Sequence, residues 1–259
     1  MVSLYKRTEI SYWVIGALCV AGAVLWSQFF PKSQYLYLII AVVLMITTFY
    51  VLLIISNKLF NDEVTSYMLN CNIHEYMDRL DKRMGKRRQK NIRSLYCNYK
   101  AMGFNIIGDY DSAIVWTQQI TSPGHKSEYF KRLIEHYLQN DQILEAQDIM
   151  NQLASLNQNS KNSVYRASIE INIKLYECRI RVKCGDYDQA EQFYKEMFVN
   201  PAPSLKSKLS RVSIACALGN IFVLKGENEN AREYLKFASE NGGDTKYKAE
   251  ADELLSGIA

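Results

Sequence analysis

The residues of this chain best suited to bind a metal or attack a carbonyl are three histidines and six cysteines, and their spacing defeats both uses. His74-Glu75 begins as a zinc-protease helix does. In that motif two histidines one turn apart hold the metal and the glutamate activates water, but here Asp78 stands where the second histidine is needed. His125 and His136 are isolated. Cys19, Cys71, Cys97, Cys178, Cys184 and Cys216 include no C-x-x-C pair, so they read as reduced thiols, not as a metal set or a disulfide frame. Neither a G-x-x-x-x-G-K-[ST] phosphate loop nor a G-x-S-x-G nucleophile turn occurs. No catalytic residue, metal ligand or cofactor is assigned, and the chain is expected not to be an enzyme.

Charge offers a second kind of chemistry. The net charge of +4 comes from one local block: Lys82, Arg83, Lys86, Arg87, Arg88, Lys90 and Arg93 lie close together with no acid among them. Outside that block the part of the chain after Asn57 is mildly acidic, which argues against general nucleic-acid binding. The block also holds no aromatic residue on which a base would stack. Two uses remain. It can rest on anionic lipid headgroups, at up to ~1 kcal/mol per basic residue, or it is a solvated turn between helices.

The elements that position this block begin at the N-terminus. Ile10 to Pro31 and Ser33 to Asn57 contain no charged residue, and only Lys32 separates them. As helices they would span about 33 and 37 Å, enough to cross a hydrocarbon core of about 30 Å. The spacing predicts an antiparallel membrane hairpin over residues 1–57. Tyr12, Trp13, Trp26, Tyr35, Tyr37 and Tyr50 sit towards the ends, as interfacial aromatics do. Gly16, Cys19, Ala23 and Ser27 give the first helix a small-residue side for close packing. Neither run holds an Asp, Glu, Lys, Arg or His, so the hairpin reads as an anchor and not as a transport path. Lys6 and Arg7 before it and Lys58 after it outnumber Lys32, which puts both termini in the cytoplasm. Cleavage of the first run as a signal peptide near Ala21-Gly22-Ala23 is the alternative, and leaves the rest of the chain on the same side.

Residues 58–93 are expected to form two juxtamembrane helices with a break near Asn70-Cys71-Asn72. From 94 to 259 one phrase recurs: a small residue, an aromatic, Gly-Asp-aromatic, then alanine. It appears as Ala101, Phe104, Gly108-Asp109-Tyr110 and Ala113, and again as Cys178, Arg181, Gly185-Asp186-Tyr187 and Ala190. A later copy has Gly219, Phe222, Gly226 and Ala231, and a weaker one has Tyr137, Asp141 in place of the glycine, and Ala146. Small residues let paired helices approach, glycine permits φ > 0 at the turn, and stacking of copies buries the faces a single hairpin leaves open.

This phrase resembles the tetratricopeptide repeat family over roughly residues 93–241. The marker alanines are 33, 44 and 41 residues apart, against a family repeat of 34, which implies longer helices or loops over 161–183 and 205–225. Thr245 to Ile258 is expected to be a capping helix. The fold class is thus all-α: a transmembrane helical hairpin followed by a TPR-like α-solenoid of antiparallel helix pairs. The resemblance implies that a peptide or protein partner binds the concave face, at Asn98, Met102, Asn105, Lys131, Glu135, Arg179 and Asn220. The family's chaperone-tail clamp pattern of lysine and asparagine is missing. The expected function is a membrane-anchored interaction adaptor with a cytoplasmic repeat surface. An accessory subunit of a membrane export or envelope complex, or a peptide-sensing regulator, is the alternative.

Overall fold

The computed structural model describes residues 22, 34–86, 90–158 and 160–258, and every regular element among them is helical. The chain divides into two compact units, residues 1–65 and 66–259.

In the first unit, α1 (Gln34–Phe60) runs 27 residues and passes into a π-helical turn at Asn61–Thr65. Ile39, Val43, Leu44, Ile46, Tyr50 and Val51 are all exposed, around much of its circumference. Thr47 returns its hydroxyl to the carbonyls of Val43 and Leu44 at 3.0 Å, which removes a free polar group from an apolar surface. Counting only the described residues, no helix is long and apolar enough to cross a membrane. In α1 the side chains of residues 34–38, 41, 52–54, 56 and 57 lie outside the described ones. The first run, Ile10 to Pro31, also lies outside it apart from Gly22. The expected two-helix hairpin is therefore not supported by the described residues.

The second unit contains α2 (Ser66–Leu69), α3 (Ile73–Met84), α4 (Lys90–Ile107), α5 (Tyr110–Thr117), α6 (Lys126–Gln139), α7 (Ile143–Gln158), α8 (Ser163–Lys183), α9 (Tyr187–Val199), α10 (Lys208–Leu224), α11 (Asn228–Asn241) and α12 (Lys246–Gly257). Each helix packs on the next. The longer repeat spacing is taken up in α8, of 21 residues, and α10, of 17.

Five of the turns are built alike. Cys71, Gly108, Asp141, Gly185 and Gly226 all have positive φ, between 55° and 90°. The amide after each donates to the carbonyl five residues back: Asn72 to Tyr67, Asp109 to Phe104, Gln142 to Tyr137, Asp186 to Arg181 and Glu227 to Phe222, at 2.8 to 2.9 Å. This is the 6→1 bond of a Schellman ending, which needs one left-handed residue to reverse the chain. Asp141 and Cys71 accept that conformation at a cost glycine avoids. Five residues past each of the last four lies a buried alanine: Ala113, Ala146, Ala190 and Ala231. In the leading turn the same place holds Tyr76, fully buried, and α4 approaches this part of α3 at Gly103, where a Cβ would fall 2.3 Å from Met77 Sδ and 3.2 Å from the Tyr76 ring.

Among the described residues, two apolar clusters organise the later helices, while Tyr76, Leu80, Cys97 and Ala101 are buried between the earlier ones. Phe130, Ile134, Leu138, Ala146, Leu153 and Ile169 knit α6 to α8. A larger one, through Tyr194, Leu218, Ile221, Phe222, Leu235 and Ala238, joins α9 to α12 and includes Cys71 from the opposite end of the unit. The last helix meets the first ones: α12 contacts α4, and α10 contacts α2.

Candidate interaction surface

The alternate helices α4, α6 and α8 touch in succession, α10 touches α12, and α12 touches α4. These five form the inner layer, and the sequence-predicted residues divide on it. Glu135 and Arg179 come together across α6 and α8 as an ion pair of 2.5 Å, with side chains 18% and 29% exposed. Burial by itself would raise the Glu135 carboxyl, but the Arg179, Lys246 and Arg132 charges hold it down at about 2. Burial works against the Arg179 charge too, and Glu135 more than offsets it, so the guanidinium is raised. Burial lowers Lys131, against the pull of Glu128 on its own helix, which it meets at 2.5 Å.

Asn98 and Asn105, seven residues apart on α4, are buried, and their Oδ1 atoms accept no hydrogen bond; neither does Arg132 Nε on α6 have an acceptor. Such groups are costly inside a protein unless a partner or water reaches them. Met102 and Asn220 are half-buried, and no polar contact joins Asn220 to this cluster.

Several members were not legible beforehand. Lys246, at the start of α12, donates to Tyr110 Oη at 3.1 Å and lies 4.9 Å from that ring's centre. Its charge is disfavoured by burial, only partly restored by Glu135. Tyr247 hydrogen-bonds Ser213 of α10, and burial pushes its phenol up to about 12. Cys216 Sγ donates to Glu250 at 3.5 Å. Tyr176 and Tyr194 add phenols raised first by burial. Glu128, Arg132 and Glu135 form an i, i+4, i+7 stripe on one helix face, a signal that was available in the sequence. Lys246 and Tyr247 carried no such signal, because α12 read as a polar cap.

The basic block straddles two helices: Lys82 and Arg83 end α3, and Lys90 and Arg93 lie in the first turn of α4. Lys82 pairs with Asp78 one turn back. Lys86 and Lys90 are exposed, and Arg83 is half-buried. Arg87 and Arg88 lie outside the described residues. Arg93 turns onto the protein, 5.1 Å and 5.4 Å from the Tyr96 and Trp116 ring centres, and bonds Gln119 at 3.3 Å.

Among the described residues no group of histidine, cysteine and carboxylate side chains is placed to hold a metal. Comparison with known protein families, curated proteins and solved structures finds no match for this chain.

Proposed function

We propose that this chain is a membrane-anchored interaction adaptor whose TPR-like α-solenoid of antiparallel helix pairs offers its inner face to a peptide or protein partner on the cytoplasmic side. One observation carries the reading: Tyr110, Glu135, Arg179 and Lys246, from four helices, converge in one polar cluster, and Asn98 and Asn105 on α4 bury oxygens that have no partner. An inner layer serving stability alone would gain more from apolar side chains there. The five turns built alike support the repeat family.

The apolar, exposed surface of α1 supports an anchor in the bilayer. A helix apolar over most of its circumference has no stable place in water. The anchor is a hairpin if Ile10 to Pro31 forms its other arm. Exposure of Lys86 and Lys90 supports a secondary contact of the basic block with anionic lipid.

The test is photo-crosslinking in native membranes, with the full chain carrying a photoreactive residue at one position. Probes at Met102 and Asn220, on the inner layer, are expected to give a discrete protein or peptide adduct. Probes at Val115 and Leu144, exposed on α5 and α7, are expected to give none. Adducts independent of position, or none from the inner layer, defeat the reading.

A further inference from the structure

The inner face has a closed seam, and its closure is a built contact. α3 begins at Ile73, yet its own N-cap residue, Asn72, makes no side-chain capping bond. The cap comes instead from Asp244. Its carboxylate accepts from the Ile73 and His74 amides at 2.6 and 2.8 Å, across 171 and 170 residues of chain. The Asp244 amide donates back to the Cys71 carbonyl at 3.2 Å. A carboxylate on the first amides of a helix is favoured by both the hydrogen bonds and the helix dipole. Both strands of this clasp are left-handed at its centre, Cys71 with φ of 65° and Gly243 with φ of 57°. A Cβ on Gly243 would fall 2.2 Å from the Cys71 carbonyl oxygen, so no other residue fits.

The two sides of α12 differ in kind. Towards α10 and α11 it packs with Tyr247, Ala251, Leu254, Leu255 and Ile258 in the large apolar core. Towards α4 to α6 it offers Lys246, bonded to Tyr110 and in the field of Glu135. Apolar packing fixes α12 to the end of the unit; the clasp and the Lys246 contact join it to the beginning, where Cys71 is the one described residue before α8 that enters the large apolar core and α10 meets the short α2. A polar seam parts at lower cost than a core, because water replaces its hydrogen bonds.

We propose that the seam between Gly243–Lys246 and the Cys71–His74 turn is a gate: α12, held shut by the Asp244 clasp, covers the inner face, and a partner gains that face when the seam parts. This rests on the inner face being the docking surface. Opening moves α12 with α10 and α11 away from α4, and uncovers Asn98, Asn105, Arg132 and the Glu135–Arg179 pair for a polar peptide.

The gate is tested in the full chain in detergent micelles by the rate of maleimide attack on Cys71, read by peptide mass spectrometry. Cys71 is fully buried beneath the clasp, Cys178 is buried on α8 and has no part in the clasp's hydrogen bonds, and Cys184 is exposed. Asp244→Ala, and separately Gly243→Ala, are expected to speed Cys71 labelling by roughly tenfold or more. Cys178 and Cys184 keep their rates. Unchanged labelling of Cys71 in both variants overturns the gate. Equal acceleration at Cys71 and Cys178 also overturns it, because the unit has then unfolded as a whole. Asp244→Ala is further expected to raise the crosslinking yield from a probe at Met102. A faster Cys71 with an unchanged, non-zero yield overturns the claim that the seam controls access. A faster Cys71 with no adduct in either form leaves the seam standing and defeats the docking surface.

Discussion

The two ends of the second unit are held together by different physics. From α9 to α12 the contacts are apolar and close: Gly219 leaves no room for a Cβ, which would lie 2.4 Å from Leu235 Cδ2, and Phe222 stacks on Tyr234 at 5.6 Å. From α4 to α8 the inner side carries charges and amides, and the apolar packing lies on the other side of the same helices. The contrast separates what keeps the unit folded from what its inner face offers to a partner. Among the described residues the buried polar atoms without a partner are on Asn98, Asn105, Arg132 and Asn157, all between α4 and α7, and none is on α9 to α12.

The largest effect should come from emptying the apolar end. Leu235→Ala is expected to cost about 2–5 kcal/mol, read as a lower urea midpoint, because Leu235 is fully buried against Gly219. Breaking the polar end from one side comes next. Arg179→Met leaves Glu135 without its main partner and is expected to cost about 2–3 kcal/mol, below the value for a fully buried pair because both side chains keep some exposure. Adding Glu135→Gln should recover most of the loss, and a double mutant as poor as the single would show that the pair is not what holds these helices. The same contrast has a pH signature. The Glu135 carboxyl is depressed to about 2 in the folded chain, so its contribution is present above the unfolded pKa of roughly 4.3 and is lost as pH falls towards 2. Wild type should lose more stability than Glu135→Gln between about pH 5 and 2, and identical pH profiles would remove the charge from the account.

A smaller effect is expected from overfilling. Ala231→Leu, at a fully buried site between α10 and α11, should cost ~1–3 kcal/mol and lower the melting temperature; an unchanged melting curve would mean that the alanine does not set the helix approach. Smallest of all should be the turns, which the two ends share. Gly185→Ala and Gly226→Ala add a Cβ to open space at φ of 82° and 77°. Each is expected to cost about 1 kcal/mol from backbone strain alone. Unequal costs would show that the turn, like the packing, depends on its region.

Much of this was legible because the Schellman ending leaves a mark in sequence. The glycine, the aromatic four residues before it and the alanine five after it are one geometric unit, and even Asp141 in the glycine's place holds the left-handed conformation. The leading turn was expected only as a break near Asn70-Cys71-Asn72, because Cys71 and Tyr76 stand where glycine and alanine stand elsewhere, and only Tyr67 keeps the aromatic. The family resemblance put Glu135 and Arg179 on the concave face, but a resemblance says nothing of which charges then pair. Lys131 turned to Glu128 on its own helix, and Asn220 joined no cluster. The clasp was beyond reach: Asp244 and Ile73 share no period, no motif and no neighbourhood in the chain. Local rules describe what one helix does to the next, and this contact joins residues that local rules never compare.

That long-range cap bears on how the protein is made. In an open array of repeats each hairpin can settle against its neighbour as it leaves the ribosome. Here the amides of Ile73 and His74 wait for a carboxylate synthesised 171 and 170 residues later. The nascent chain holds α3 without its cap until Asp244 has been joined. A nascent chain halted at Asn241 therefore leaves its defect far back in the chain, and protease cutting near Cys71 would reveal the missing clasp.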